Sequence, residues 1–167
     1  SEARADERVR RALNLAVDTE TYNEVIRAGF GSPTTGQFMQ PGMDGYNPNL
    51  QDYGYDPEEA MRLLSEAGYQ NMELTLLAAN TIRTDAEVVA GYLEAVGVRV
   101  TLETPDSGTV ISEVRGGTDN NLILWNVFYT TLQDWSQAMV GLINPAPGSQ
   151  RHFENEEFYA LNNQIMM

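Results

Sequence analysis

Val9, Ala12, Leu13 and Ala16 recur at three- and four-residue intervals in an otherwise charged opening segment. That period predicts a helix from about Asp6 to Val17 with one apolar stripe. Asp18 stands where an N-cap belongs, and Thr21 falls at the N3 position of a second helix. Tyr22, Val25 and Ile26 mark its expected buried face, and Gly29 and Gly31 its end. Residues 30 to 54 then lose all periodicity and fill with Gly, Pro, Asn and Gln. An irregular stretch of that length is uncommon inside a domain unless it lines or covers something.

Regular patterning resumes at Asp56, a second capping aspartate, followed by Pro57 in the first turn and by Glu58 and Glu59 at the positive helix end. Ala60, Leu63, Leu64 and Ala67 are expected to face inward, and Gly68 to close the helix in a left-handed cap. Met72 to Ala78 alternates as a strand does, Asp85 to Val96 reads as a helix ended by Gly97, and Val98 to Glu103 alternates again. A helix from about Gly108 to Val114, stopped by Gly116 and Gly117, leads to the short apolar run Leu122-Ile123-Leu124-Trp125, a strand covered on both faces. Strand–helix–strand–helix–strand order predicts an α/β domain whose mixed, partly parallel sheet is flanked by helices. Beyond it lie a predicted helix near Asp134 to Leu142, a Pro/Gly loop at 144 to 149, and a last helix from about Glu154 or Asn155. That helix runs into Met166-Met167 without a stop signal, so the chain is expected to be truncated.

The 167 residues suit a single domain with a real core. Acidic residues outnumber basic ones 24 to 10, for a net charge of −14. A field of that sign repels nucleic acid and anionic lipid, while most of these carboxylates are expected simply to solvate the surface. There is no cysteine, hence no disulfide framework and no thiolate chemistry. No apolar run reaches the roughly 20 residues needed to span a bilayer. No apolar segment follows the opening Ser1-Glu2-Ala3-Arg4, so any export signal is expected on sequence outside this chain.

Candidate chemistry is sparse. His152 is the lone histidine, which rules out His-Glu-x-x-His zinc sites. Asp44, Asp52 and Asp56 lack the spacing of a calcium loop. No Gly-x-Ser-x-Gly elbow or phosphate-cradling glycine motif is present. A pair of carboxylates serving a hydrolase is the alternative reading, but so many acidic residues always supply some pair. No cofactor, metal or catalytic residue is therefore assigned. What stands out is an aromatic and amide cluster that begins at the end of the last predicted strand: Trp125, Asn126, Phe128 and Tyr129, then Asp134 and Trp135. Ligands of open α/β sheets bind beyond the carboxyl ends of strands, and aromatic faces supply large contact areas there. Trp125 and Phe128 fit a packed core as well as a ligand wall; Asn126 and Tyr129, with polar ends, fit the wall better.

Five segments in order carry a resemblance. They are Arg11-Ala12-Leu13-Asn14-Leu15-Ala16-Val17-Asp18, then Tyr55-Asp56-Pro57-Glu58-Glu59-Ala60 through Gly68-Tyr69, Glu73 to Leu77, Tyr92 to Val100, and Phe153 to Leu161. Together they resemble lobe II of bacterial extracellular solute-binding proteins of the peptide/nickel class, which feed ABC importers. The resemblance implies that residues 1–167 are one lobe of a two-lobed, periplasmic-binding-protein type II-like trap, with lobe I absent from this chain. It implies a small solute held between lobes (peptide-like, oligosaccharide or other organic), no catalysis, and an ABC permease and lobe I of the same polypeptide as partners. A periplasmic or extracellular location follows, with a lipid anchor an option in the full-length protein. The ligand wall is expected at Trp125, Asn126, Phe128, Tyr129 and Asp134, with Arg115 as a basic contact or a helix-end cation and the 30-to-54 loop as a rim. Peptide-binding members carry an aspartate where this chain has Phe128, and a phenyl ring cannot pair with a peptide ammonium. Free-amine peptides are disfavoured on that ground.

Overall fold

The computed structural model describes residues 2–33, 36–37, 41–42, 46–50, 52–116 and 121–124. A short turn of helix, α1 (Glu2–Ala5), precedes α2 (Glu7–Leu15). Asp6 caps α2 by accepting from the Arg8 amide at 2.9 Å, and the Arg8 side chain returns to the same carboxylate and to the carbonyl of Glu66 at 3.0 Å. Glu66 ends α4 (Pro57–Glu66), whose cap Asp56 accepts from the Glu59 amide at 2.9 Å. The two helices bury Val9, Ala12, Leu15 and Ala16 against Ala60, Leu63 and Leu64. Leu15 replaces the expected Leu13 in this stripe. The chain entering α4 bonds across the end of α2, Asp56 N–H to Leu15 carbonyl at 2.9 Å, leaving Leu13 half-buried at the margin.

Gly68 has φ +80°, and the Tyr69 amide reaches back to the Leu64 carbonyl at 2.7 Å, the left-handed cap the sequence predicts. The same device closes α5 (Arg83–Ala95): Gly97 has φ +90° and the Val98 amide donates to Leu93 at 3.2 Å. A Cβ on Gly97 would also lie 3.0 Å from the Gln70 carbonyl, so conformation and space both require glycine there.

The sheet consists of β1 (Glu73–Ala78), β2 (Arg99–Glu103) and β3 (Asn121–Leu124) in the order β2-β1-β3. Among the described residues every pairing is parallel, with Glu73 opposite Arg99 and Ala78 opposite Leu124. The described strands supply the parallel part of the mixed, partly parallel sheet that the sequence predicts. Central β1 buries Leu74, Leu76, Leu77 and Ala78, whereas edge strand β2 alternates exposed and half-buried positions. A 3₁₀ turn at Asn80–Ile82 leads from β1 into α5, and α6 (Ser107–Gly116) joins β2 to β3. One core cluster joins α2, α4 and the end of α5 to Leu74 and Val98. A second joins Leu76, Leu77 and Ala78 to Ile82, Ala86, Ala90 and Val110.

One helix departs from expectation. In α3 (Thr19–Arg27) no residue is buried: Tyr22 and Ile26 are half-covered and Val25 is 72% exposed. The helix docks on α5 through polar groups, Tyr22 and Arg27 both donating to Asp85, and this leaves Val25 facing solvent. It ends at Ala28, whose φ of 52° is left-handed. An L-residue with a Cβ pays about 1 kcal/mol for that conformation. Ala28→Gly is therefore expected to raise stability by about 0.5–1 kcal/mol, read as a higher urea midpoint at unchanged slope.

The caps set an acid limit. Hydrogen bonding and charge from Arg8 hold Asp6 at about 2, below its ordinary 3.8. The Thr21 amide and hydroxyl lower Asp18, and the Thr109 hydroxyl and amide lower Asp106. Each folded-state value lies below the unfolded one, so these groups stabilise the fold above the ordinary carboxylate range and the contribution is lost as pH falls through the folded values. Urea midpoints are expected to be level above pH 5 and to decline between about 4 and 2.

Candidate functional site

Three parallel strands place their carboxyl ends, Ala78, Glu103 and Leu124, along one edge of the sheet. The chain leaves β1 for β2 on one side and returns past it to β3 on the other. The reversal of strand order therefore centres on β1, the position where open α/β sheets take ligands. The two turns at this edge are tied together, the Asn80 amide donating to the Pro105 carbonyl at 2.9 Å. Asp106 caps α6 there, accepting from the amides of Gly108 and Thr109 at 2.9 and 3.1 Å and from the Thr109 hydroxyl at 2.7 Å.

An open depression of about 420 Å³ lies at this edge, lined by Leu77, Glu103, Thr104, Pro105, Thr109 and Glu113. Leu77 and Pro105 give it apolar surface, two carboxylates and two hydroxyls give it hydrogen-bond acceptors, and Arg83 Nη1 stands 3.4 Å from the Thr104 hydroxyl. Such a lining suits groups that donate hydrogen bonds, such as hydroxyl, amide or ammonium, over phosphate or carboxylate.

Of the residues the sequence singled out, Trp125, Asn126, Phe128, Tyr129 and Asp134 lie outside the described residues. The strand they follow is where the pattern put it, and Leu124, the residue before Trp125, pairs with Ala78 at the carboxyl end of the central strand. Arg115 falls in the last turn of α6, its side chain outside the described set. His152 and Asp44 are likewise outside it. The described parts of the 30-to-54 stretch form a second hollow of about 410 Å³. There Pro33, Asp52, Gly54 and Tyr55 face Asp18, Thr19 and Glu20 at the start of α3. Among the described residues, no group of three or more His, Cys, Asp or Glu side chains is placed to hold a metal ion. No helix among them is long and apolar enough to cross a membrane.

Sequence reasoning passed over the Thr104–Glu113 lining. The signal was present in Thr104-Pro105-Asp106-Ser107, a capping aspartate immediately after a strand, which marks a strand-to-helix turn at the carboxyl edge. It also missed the Tyr22–Arg27–Asp85 cluster.

Comparison with known proteins agrees with this architecture. Residues 2–141 match the pattern of bacterial extracellular solute-binding proteins, family 5 (middle). Heme-binding protein A of Haemophilus influenzae is 31% identical over 170 aligned positions, covering 95% of this chain and 30% of that protein. Glutathione-binding protein GsiB of Salmonella typhimurium is 33% identical over 113 positions, covering 65% of this chain and 22% of its own length. The chain thus spans less than a third of the curated relatives it matches. Among solved structures, the periplasmic binding protein DppA of Helicobacter pylori in complex with the peptide STSA superposes with a TM-score of 0.65 at 29% identity. That match covers 70% of this chain and 23% of DppA. The binding protein AgaA of A. tumefaciens R10, in complex with agropinic acid, gives a TM-score of 0.80 over 98% of this chain and 35% of its own. At 23% identity it speaks to the fold alone.

Proposed function

This chain belongs to the bacterial extracellular solute-binding proteins, family 5, and we propose that residues 1–167 are lobe II of such a protein, which captures a small organic solute against a second lobe for delivery to an ABC importer. The observation that carries the reading is the carboxyl edge of the parallel sheet. Strand order reverses there, the depression of Leu77, Glu103, Thr104, Pro105, Thr109 and Glu113 opens, and the aromatic segment from Trp125 follows in sequence. The full polypeptide acts outside the cytoplasm and hands its solute to a permease.

Binding is the proposed activity: the relatives are named as binding proteins, and the lining offers acceptors and apolar surface to a solute. Trp125, Asn126, Phe128, Tyr129 and Asp134 are assigned as the wall that meets the solute. Arg115, in the last turn of α6, falls at the end of that helix remote from the Asp106 cap and is assigned as a helix-end cation. Position 128 lacks the carboxylate that would hold a peptide ammonium, while Glu103 and Glu113 bring negative charge at another point of the edge. The favoured solute therefore presents hydroxyl, amide or amine donors to an acidic, aromatic wall.

Calorimetry and thermal shift on the full-length polypeptide test this against a dipeptide, an oligosaccharide, glutathione, heme and a nickel chelate. One class is expected to bind at one site per molecule and to be recovered unchanged. This chain alone is expected to bind it at least 100-fold more weakly, because a single lobe buries only part of a ligand. Conversion of any of these compounds to product, or full affinity in the isolated chain, would overturn the proposal.

A further inference from the structure

We infer that residues 19–31, α3 with the turn after it, form a strap that opens and closes on the domain as one piece, latched by the carboxylate of Asp85.

The segment is closed on itself. The Asn23 side-chain amide donates to the Gly31 carbonyl at 3.2 Å and accepts from the Gly31 amide at 2.8 Å, while the Gly29 amide donates to the Asn23 carbonyl at 3.0 Å. A Cβ at Gly31 would crowd the Asn23 side-chain oxygen and displace this bond. Against the rest of the protein α3 buries no residue, and Val25 and Phe30 are 72% and 94% exposed. An element with so little apolar burial opens at a free energy well below that of global unfolding.

Among the described residues, its long-range side-chain hydrogen bonds converge on one group. Asp85 is 8% exposed, the one buried charged residue among those described, and it accepts from both the Tyr22 hydroxyl and Arg27. Arg27 also donates to the Tyr22 oxygen at 3.3 Å, and its guanidinium lies 5.8 Å from the Tyr22 ring centre. Asp85 sits in the first turn of α5, where the helix dipole already favours its negative charge. Two donors converging on one partly covered carboxylate make charge-assisted hydrogen bonds, and these hold the strap shut. The first turn of α3 supplies Asp18, Thr19 and Glu20 to the 410 Å³ hollow, whose opposite wall is Pro33, Asp52, Gly54 and Tyr55. Lifting the strap opens that hollow. The inference rests on these contacts and not on the identity of any solute.

Hydrogen exchange read by mass spectrometry on the intact chain tests it, comparing the natural protein with Tyr22→Phe and Asp85→Asn. Amides of residues 19–31 are expected to exchange at least tenfold faster in both variants, while α4, β1 and the second half of α5 keep their protection. Should Asp85→Asn fail to fold, Tyr22→Phe, which removes a single hydroxyl, carries the test alone. A rise shared evenly by α4 and β1 would make Asp85 a support of the whole fold, and no rise in residues 19–31 would place their attachment elsewhere. Either result overturns the inference.

Discussion

Leu76→Ala is expected to destabilise the domain by about 3–4 kcal/mol. Leu76 is fully buried at the middle of the central strand, opposite Leu102 on one side and Leu122 on the other, and belongs to the cluster with Ile82, Ala86, Ala90 and Val110. Both neighbouring strands hydrogen-bond to β1, so the backbone has little freedom to collapse into the space left behind, and the cavity term adds to the lost transfer energy. Domains of this kind have only about 5–15 kcal/mol in total, so the variant would lose a large share of its stability. Equilibrium urea unfolding checks it, and Leu13→Ala, at a half-buried position, serves as the comparison with an expected loss of about 1 kcal/mol. Equal losses at the two positions would contradict the assignment of β1 as the packing centre.

Trp125→Ala in the full-length polypeptide is expected to weaken solute binding about 10- to 100-fold with the fold intact. Leu124 pairs with Ala78 at the carboxyl edge where strand order reverses, and Trp125 is the next residue in sequence. An indole there gives a rigid face for a solute at small entropic cost. Titration calorimetry paired with urea unfolding separates the two roles open to this tryptophan. A ligand wall loses affinity with little change in stability. A core position loses about 3–5 kcal/mol of stability while the folded fraction binds as before.

Features that depend on neighbours in sequence were legible in advance. Asp18 and Asp56 cap helices through amides three residues on, and Gly68 adopts its left-handed cap, because each needs only the adjoining turn. The alternation of strands and helices gave a sheet with crossover connections. The choice of β1 as the central strand was not legible, since edge and centre differ only in what covers them. Val25 marks the same limit: its spacing fits a buried face, yet the helix docks by Tyr22 and Arg27 on a carboxylate 63 and 58 residues away. No local pattern announces such a pairing, and Asp85 by itself reads as an ordinary helix-start residue. The acidic lining of the carboxyl edge was hidden for a different reason, because Glu103 and Glu113 are two of 24 acidic residues and only the fold sets them apart.

The parallel pairing of β1 also governs how the domain is made. Glu73 meets Arg99, 26 residues further along, and the partners supplied by β3 lie later still. On a ribosome the most buried of the described strands therefore emerges well before either neighbour exists, and it cannot be satisfied by a hairpin partner close at hand. Helices with strong local caps can form at once, but the sheet must wait for two loop closures, which makes assembly slow and leaves Leu74, Leu76 and Leu77 open to wrong company meanwhile. A refolding rate in the slow range for its size, and a yield that drops as protein concentration rises, are the kinetic marks this strand order should leave.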